Sequence, residues 1–136
     1  PLTFTGCSPH EGETAMASDK ATITELIAAI RTFAQDRDWE QFHAPKNLSM
    51  ALAAEAGELM EHFLWCDSEK SRKFCEDPVK KTEIADELAD ILIYAFRFAD
   101  VVGIDPVVAI NEKMQRNKDR YPVEKAKGRS DKYNEL

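Results

Sequence analysis

At 136 residues, with 43% hydrophobic and 32% charged content, the chain can bury one core and is short for two domains. Its 18 basic residues against 25 acidic ones leave a net charge of -7, which repels polymeric nucleic acid but admits a small anion that arrives with its own divalent cations. The absence of any apolar run near the roughly 20 residues that cross a bilayer, of an opening signal segment and of C-x-x-C spacing among Cys7, Cys66 and Cys75 points to a cytoplasmic protein with reduced thiols and no membrane partner.

Residues 1–15 carry Gly, Pro, Ser and Glu without periodicity and read as a leader or disordered arm, so Cys7 and His10 receive no functional weight. A single domain is expected over 16–136. Its first predicted helix runs from about Asp19 to Arg37, with a capping box at Thr22 and Glu25 and an apolar stripe of Ile23, Ile27, Ile30 and Ala34. The chain leaves the helix between Asp36 and Pro45, because Pro45 disfavours helical geometry in the residue before it.

A second helix is expected over about Lys46 to Trp65, with Leu48, Leu52, Leu59 and Phe63 as core positions and Ala51, Ala53, Ala54, Ala56 and Gly57 leaving room for a neighbour. Asp67 to Asp77 reads as a polar connection with about one helical turn in it. Asp77-Pro78 then supplies an N-cap and a first helical residue for a third helix that runs to about Val102, where Gly103 suits the position beyond the end. Asp105-Pro106 repeats the start signal for a fourth helix, about Pro106 to Arg120, expected to bury Val107, Ile110 and Met114. The stretch from Val123 to Leu136 is a polar tail. No stretch alternates long enough for a sheet, so the fold class is all-α, four-helix bundle-like.

Glu55 and Glu58 on the second helix are three apart, as are Glu87 and Asp90 on the third, so each pair projects from one helical face. Facing each other, they would form a four-carboxylate site of the hard-oxygen type that Mg²⁺ takes, with Mn²⁺ as a substitute. Pairs at this spacing also arise by chance in so acidic a chain, as Glu58 with Glu61 and Glu83 with Asp86 do, and such pairs are simply solvated. Context separates the first four, since both pairs sit in the most apolar and small-residue-rich stretches of their helices. Gly57 fits close approach of a ligand or plain helix packing equally.

Tyr94 and Arg97 continue the face of Asp90 along the third helix. Lys113, Asn117 and Arg120 form one basic face on the fourth, suited to phosphate oxygens as well as to solvent. Trp39, Phe42, His43 and Trp65 flank the second helix, where rings can stack on a base or pack in a core. His43 and His62 lack zinc-ligand spacing.

The stretch Asp38-Trp39-Glu40-Gln41-Phe42-His43 with Pro45 and Asn47, then Glu55-Ala56-Gly57-Glu58-Leu59, then Asp86 through Tyr94, resembles the MazG-like all-α nucleoside triphosphate pyrophosphohydrolases, nearest to their dCTP pyrophosphatase branch. The E-x-x-E and E-x-x-D pieces, together with Lys113-Met114, Asn117, Arg120-Tyr121-Pro122 and Lys132-Tyr133, carry a likeness that spans about Thr22 to Leu136. The resemblance implies that Glu55, Glu58, Glu87 and Asp90 bind Mg²⁺ and form the catalytic set. It implies that Lys113, Asn117, Arg120, Lys132 and Tyr133 hold the phosphates of a nucleoside triphosphate, and that Trp39, His43, Asn47, Trp65 and Tyr94 line the nucleoside side. It further implies a homodimer or homotetramer, a role in nucleotide-pool house-cleaning, and hydrolysis to monophosphate and pyrophosphate. Ile30 stands where mammalian-type members carry a histidine, so a dCTP preference does not follow from the likeness.

Two other classes compete. A di-metal carboxylate bundle with oxidoreductase chemistry also draws glutamates from facing helices, but uses Glu-x-x-His pairs that Glu55, Glu58 and Glu87 do not form. A non-catalytic helical interaction module would leave the acidic pairs solvated.

Overall fold

The computed structural model describes residues 19–136, and every regular element among them is helical. The arm expected over 1–15, with Cys7 and His10, lies outside the described residues.

Helix α1 spans Ile23–Gln35 and starts where its sequence provides a reciprocal cap: Thr22 Oγ1 accepts from the Glu25 N–H at 3.2 Å while the Glu25 carboxylate accepts from the Thr22 N–H at 2.6 Å. The chain breaks away at Asp38, whose φ of 53° lies in the left-handed region that Asp tolerates better than most residues, and makes a 3₁₀ turn over Glu40–Phe42. Helix α2, Pro45–Glu61, opens on a proline whose missing N–H costs nothing there. It stops four residues short of the predicted end at Trp65, because the chain turns through His62 to Trp65 and Trp65 adopts a φ of 61°.

The polar connection is more helical than expected: α3, Ser68–Phe74, is capped by Asp67, whose carboxylate accepts from the Lys70 N–H at 2.8 Å. Helix α4, Pro78–Val102, begins under Asp77, which accepts from the N–H groups of Val79 and Lys80 at 3.0 and 2.9 Å, and ends at Gly103 with φ 72°. Helix α5, Pro106–Arg120, repeats the start with Asp105. In the tail, a short α6 covers Val123–Ala126 and a 3₁₀ turn covers Tyr133–Glu135, held by an edge-on contact of Tyr133 with Tyr121 at 6.2 Å between ring centres.

Helix α4 is the hub, packing along α2 and against α1. Ala34, Leu48 and, on α4 itself, Ala99 are buried, and Leu52, Leu59, Phe63, Tyr94, Phe96 and Phe98 are half-buried. The expected burial of Val107, Ile110 and Met114 does not occur within one chain, where they are 44%, 54% and 51% exposed. The cause is the turn at Gly103, after which α5 makes no substantial packing with α1, α2 or α4, so its apolar stripe faces outward. Leu88 and Leu92 on α4 are exposed as well.

Candidate active site

Packing of α2 along α4 brings Glu55 and Glu58 to Glu87, with carboxylate oxygens of all three within 4.8 Å of one another. Asp90, one turn beyond Glu87, stands outside that group yet acts on it. Glu55 has its pKa raised, first by desolvation and then by the negative charges of Glu58, Asp90 and Glu87. Among the described residues no ion pair forms at Glu55, Glu58 or Asp90, and His62 Nε2 lies 3.7 Å from Glu87. Hard oxygen donors with unbalanced negative charge are the donor set that a divalent cation fits. Gly57 lies between the two glutamates of α2, and a Cβ there would meet nothing within 4 Å, so helix packing does not demand the glycine.

Asp90 also lines a cavity of about 250 Å³ formed by Ile30, Phe33 and Ala34 from α1, Trp39 and His43 from the connection, and Ile93, Tyr94 and Arg97 from α4. The cavity is mostly apolar, and Trp39 closes edge-on against Phe33 at 5.8 Å between ring centres. A ring-bearing ligand would therefore find flat apolar walls next to the carboxylates. On their other side, Glu58, Glu61, His62, Phe74, Lys80 and Glu87 surround a wider, open cavity of about 520 Å³.

His43 is fixed from behind: buried Arg97 donates from Nε to His43 Nδ1 at 3.0 Å, from Nη1 to Asp100 at 2.7 Å and from Nη2 to Glu40 at 3.2 Å. Asn47 is not among the cavity walls. Its Nδ2 donates to the Phe42 carbonyl at 3.0 Å and so pins the turn that carries His43.

Of the remaining residues singled out in the sequence, Trp65 is 98% exposed and outside the cavity. Lys113, Asn117 and Arg120 lie on the outlying α5, and among the described residues none of the three is hydrogen-bonded or ion-paired to the carboxylates. Arg120 stacks over the Tyr133 ring at 5.0 Å, which draws the tail residues Lys132 and Tyr133 toward the end of α5. Phe33 and Ile93 join the cavity without a site signal in the sequence, whereas Arg97 continues the face of Asp90 and Ile30 stands where mammalian-type members carry a histidine. Arg97 had a signal, a lone cation inside the apolar run from Tyr94 to Ala99.

Residues 50–136 match the model of the MazG-like family. The chain belongs to the MazG-like family. Similar MazG-like relatives include dCTP pyrophosphatase 1 of Bos taurus, 39% identical over 119 residues that cover 88% of this chain and 70% of the relative. The Homo sapiens protein of the same name is 38% identical over the same shares. A crystal structure of a pyrophosphatase from Archaeoglobus fulgidus superposes with a TM-score of 0.71 at 34% identity, covering 79% of this chain and 99% of that one. The MazG-like chain thus shares its fold over 79% of its length with a pyrophosphatase, and its carboxylates lie on the two helices that pack most closely.

Proposed function

We propose that this MazG-like protein hydrolyses (deoxy)nucleoside triphosphates to monophosphate and pyrophosphate, with nucleotide-pool house-cleaning in the cytoplasm as its role. The observation that carries the reading is the junction at Asp90, where a cluster of three carboxylates within 4.8 Å adjoins an apolar, ring-sized cavity. Charge chemistry and base binding then stand side by side, as suits cleavage at the phosphates of a molecule recognised by its base. Relatives named dCTP pyrophosphatase 1 support the same reaction and make dCTP the first nucleotide to assay.

Glu55, Glu58, Glu87 and Asp90 would hold Mg²⁺ or Mn²⁺, which when bound supplies positive charge to the triphosphate and acidifies a water for in-line attack on the α-phosphorus. Trp39, Tyr94 and Ile93 offer surfaces for the base, and His43 offers a polar contact. Lys113, Asn117, Arg120, Lys132 and Tyr133 are assigned to the phosphates, reaching them from a second copy of the chain in a homodimer or homotetramer. The outward apolar stripe of α5 supports that assembly. Asn47 serves the nucleoside side through the turn it pins, and Trp65, exposed outside this cavity, is assigned to the nucleoside side of a second copy's site.

The experiment is a panel of common and modified dNTPs scored by kcat/KM, with pyrophosphate distinguished from orthophosphate. Pyrophosphate released with Mg²⁺ and abolished by EDTA is the expected result. Orthophosphate alone, or no release from any nucleotide, would overturn the reading. No helix among the described residues is long and apolar enough to cross a membrane.

A further inference from the structure

We propose that Arg97 is a positioning residue that fixes His43 as its Nε2–H tautomer, giving the cavity a neutral hydrogen-bond donor for an acceptor atom of the base, a carbonyl oxygen or an unprotonated ring nitrogen. The inference rests on the nucleotide reading above and deepens it.

Arginine cannot accept a hydrogen bond. Its guanidinium keeps its protons throughout the accessible pH range, so Nε–H can only donate. A partner at 3.0 Å must then present a lone pair, and that partner is His43 Nδ1. With Nδ1 accepting, the one proton of a neutral imidazole resides on Nε2. Arg97 has no freedom to leave, since its side chain is only 5% exposed and its other two arms are taken by Asp100 and Glu40. Asp100 is in turn held by Arg31 from α1. The orientation of one imidazole is therefore set by a chain of charges that runs through α4 to α1.

The neutral form is favoured by the same surroundings. Desolvation and the Arg97 charge hold the His43 pKa below its ordinary value, against a smaller pull from Glu40. The titratable or charged groups around His43 are Arg97 and Glu40, with Asp90 and Tyr94 on the same cavity wall. No hydrogen bond within the described residues engages Nε2. Because Ile30, Phe33, Ala34, Trp39 and Ile93 make most of the remaining wall, a donor here has much weight in deciding which edge of a ring is accepted.

Two-bond ¹H–¹⁵N spectra of the full chain at alkaline pH read the tautomer directly. Wild type should show His43 protonated at Nε2 alone, and Arg97→Met should give a tautomer mixture. The same variant should raise KM for the best nucleotide about tenfold with kcat within about threefold, while Arg97→Lys, which keeps a donor, recovers part of the loss. Should Arg97→Met fail to fold by circular dichroism, the wild-type spectrum is paired with His43 variants. His43→Gln, which retains an N–H donor, should keep KM within about threefold, and His43→Phe should raise it about tenfold. A wild-type Nδ1–H tautomer, a folded Arg97→Met with unchanged tautomer and KM, or equal KM for His43→Gln and His43→Phe would overturn the proposal. If wild type cleaved no nucleotide, the nucleotide reading and the base contact would fall together, while the spectrum would still decide the tautomer.

Discussion

Arg31 on α1 and Asp100 on α4 are joined by two hydrogen bonds, Nε to Oδ2 at 3.0 Å and Nη2 to Oδ1, in a fork that ties the two helices across the bundle. Asp100 also receives Arg97, so one largely buried carboxylate bridges two cations, with Glu40 as the second anion beside Arg97. The hydrogen bond from Arg31 is the main reason its pKa lies below the usual carboxylate value. A carboxylate with a depressed folded pKa stabilises the fold above its unfolded pKa, and that stability is lost as pH falls through the folded pKa. Asp100→Asn should therefore cost about 2 kcal/mol near neutral pH, and its deficit should shrink as pH falls below about 4. Urea melts of both proteins across the acid range check this.

Glu55 titrates in the opposite sense. Its raised folded pKa means that its contribution is fully present below the unfolded pKa and is lost as pH rises through the folded one. Without divalent cations, Glu55→Gln should consequently raise Tm at neutral pH. Mg²⁺ should raise the Tm of wild type and raise that of the variant less. Thermal melts with EDTA and with Mg²⁺ make the comparison, and an equal Mg²⁺ increment in both proteins would remove Glu55 from the metal set.

The same carboxylates carry the catalytic expectation. Glu58→Gln and Asp90→Asn should abolish pyrophosphate release while leaving the helical circular dichroism intact. Neither residue is ion-paired among the described residues, so its loss removes charge rather than a structural bond. Retention of more than about a tenth of wild-type kcat, a loss smaller than expected for an essential charge, would count against the assignment.

What was legible in the sequence was local. The caps at Thr22, Asp77 and Asp105 and the stop at Gly103 act within a few residues, and the structure follows those signals, so that α1 begins at Ile23 behind its cap rather than at the expected Asp19 and ends at Gln35 rather than Arg37. The pairing of Glu55 with Glu58 was legible because i and i+3 share a helical face. Convergence with Glu87 required knowing that α2 packs on α4, which spacing alone does not state. Trp65 was read as helical because apolar content continues to it, yet no local signal marks the turn after Glu61 that gives it a positive φ. Arg97 could be noticed as a cation in an apolar run, but its partners His43 and Glu40 lie more than fifty positions away.

Assembly is the next expectation, and its basis is the pattern of apolar exposure. Tyr94, Phe96 and Phe98 are half-buried within the chain, whereas Val107, Ile110 and Met114 on α5 and Leu88 and Leu92 on α4 are among the exposed apolar residues. Burying such a side chain against a partner contributes roughly 1.5–3 kcal/mol, so Ile110→Glu or Met114→Glu should shift the mass by light scattering toward monomer. Wild type should be a dimer or tetramer at micromolar concentration. A wild-type monomer would contradict the expectation.

The basic face of α5 supplies a test that is independent of the metal. Lys113 is exposed, Asn117 is half-buried, and Arg120 stacks on Tyr133, so within one chain none of them is engaged by the carboxylate cluster. If a second copy brings them to the triphosphate, each charge-assisted hydrogen bond to a phosphate oxygen contributes on the order of 1.5–3 kcal/mol. Lys113→Ala and Arg120→Ala should then each lower kcat/KM by roughly tenfold or more. A solvated stripe behaves differently, because exposed charges contribute about 0–1 kcal/mol. Lys118→Ala, on another face of the same helix, is the control and should stay within about twofold of wild type. Because Tyr133 is itself assigned to the phosphates, two variants separate contact from support: Tyr133→Phe removes only the hydroxyl, whereas Tyr133→Ala also removes the ring under Arg120, so a further loss in Tyr133→Ala means that the tail orients the guanidinium. If Lys113→Ala, Arg120→Ala and Lys118→Ala all remained within about twofold, the phosphate assignment would fall and the carboxylates alone would stand.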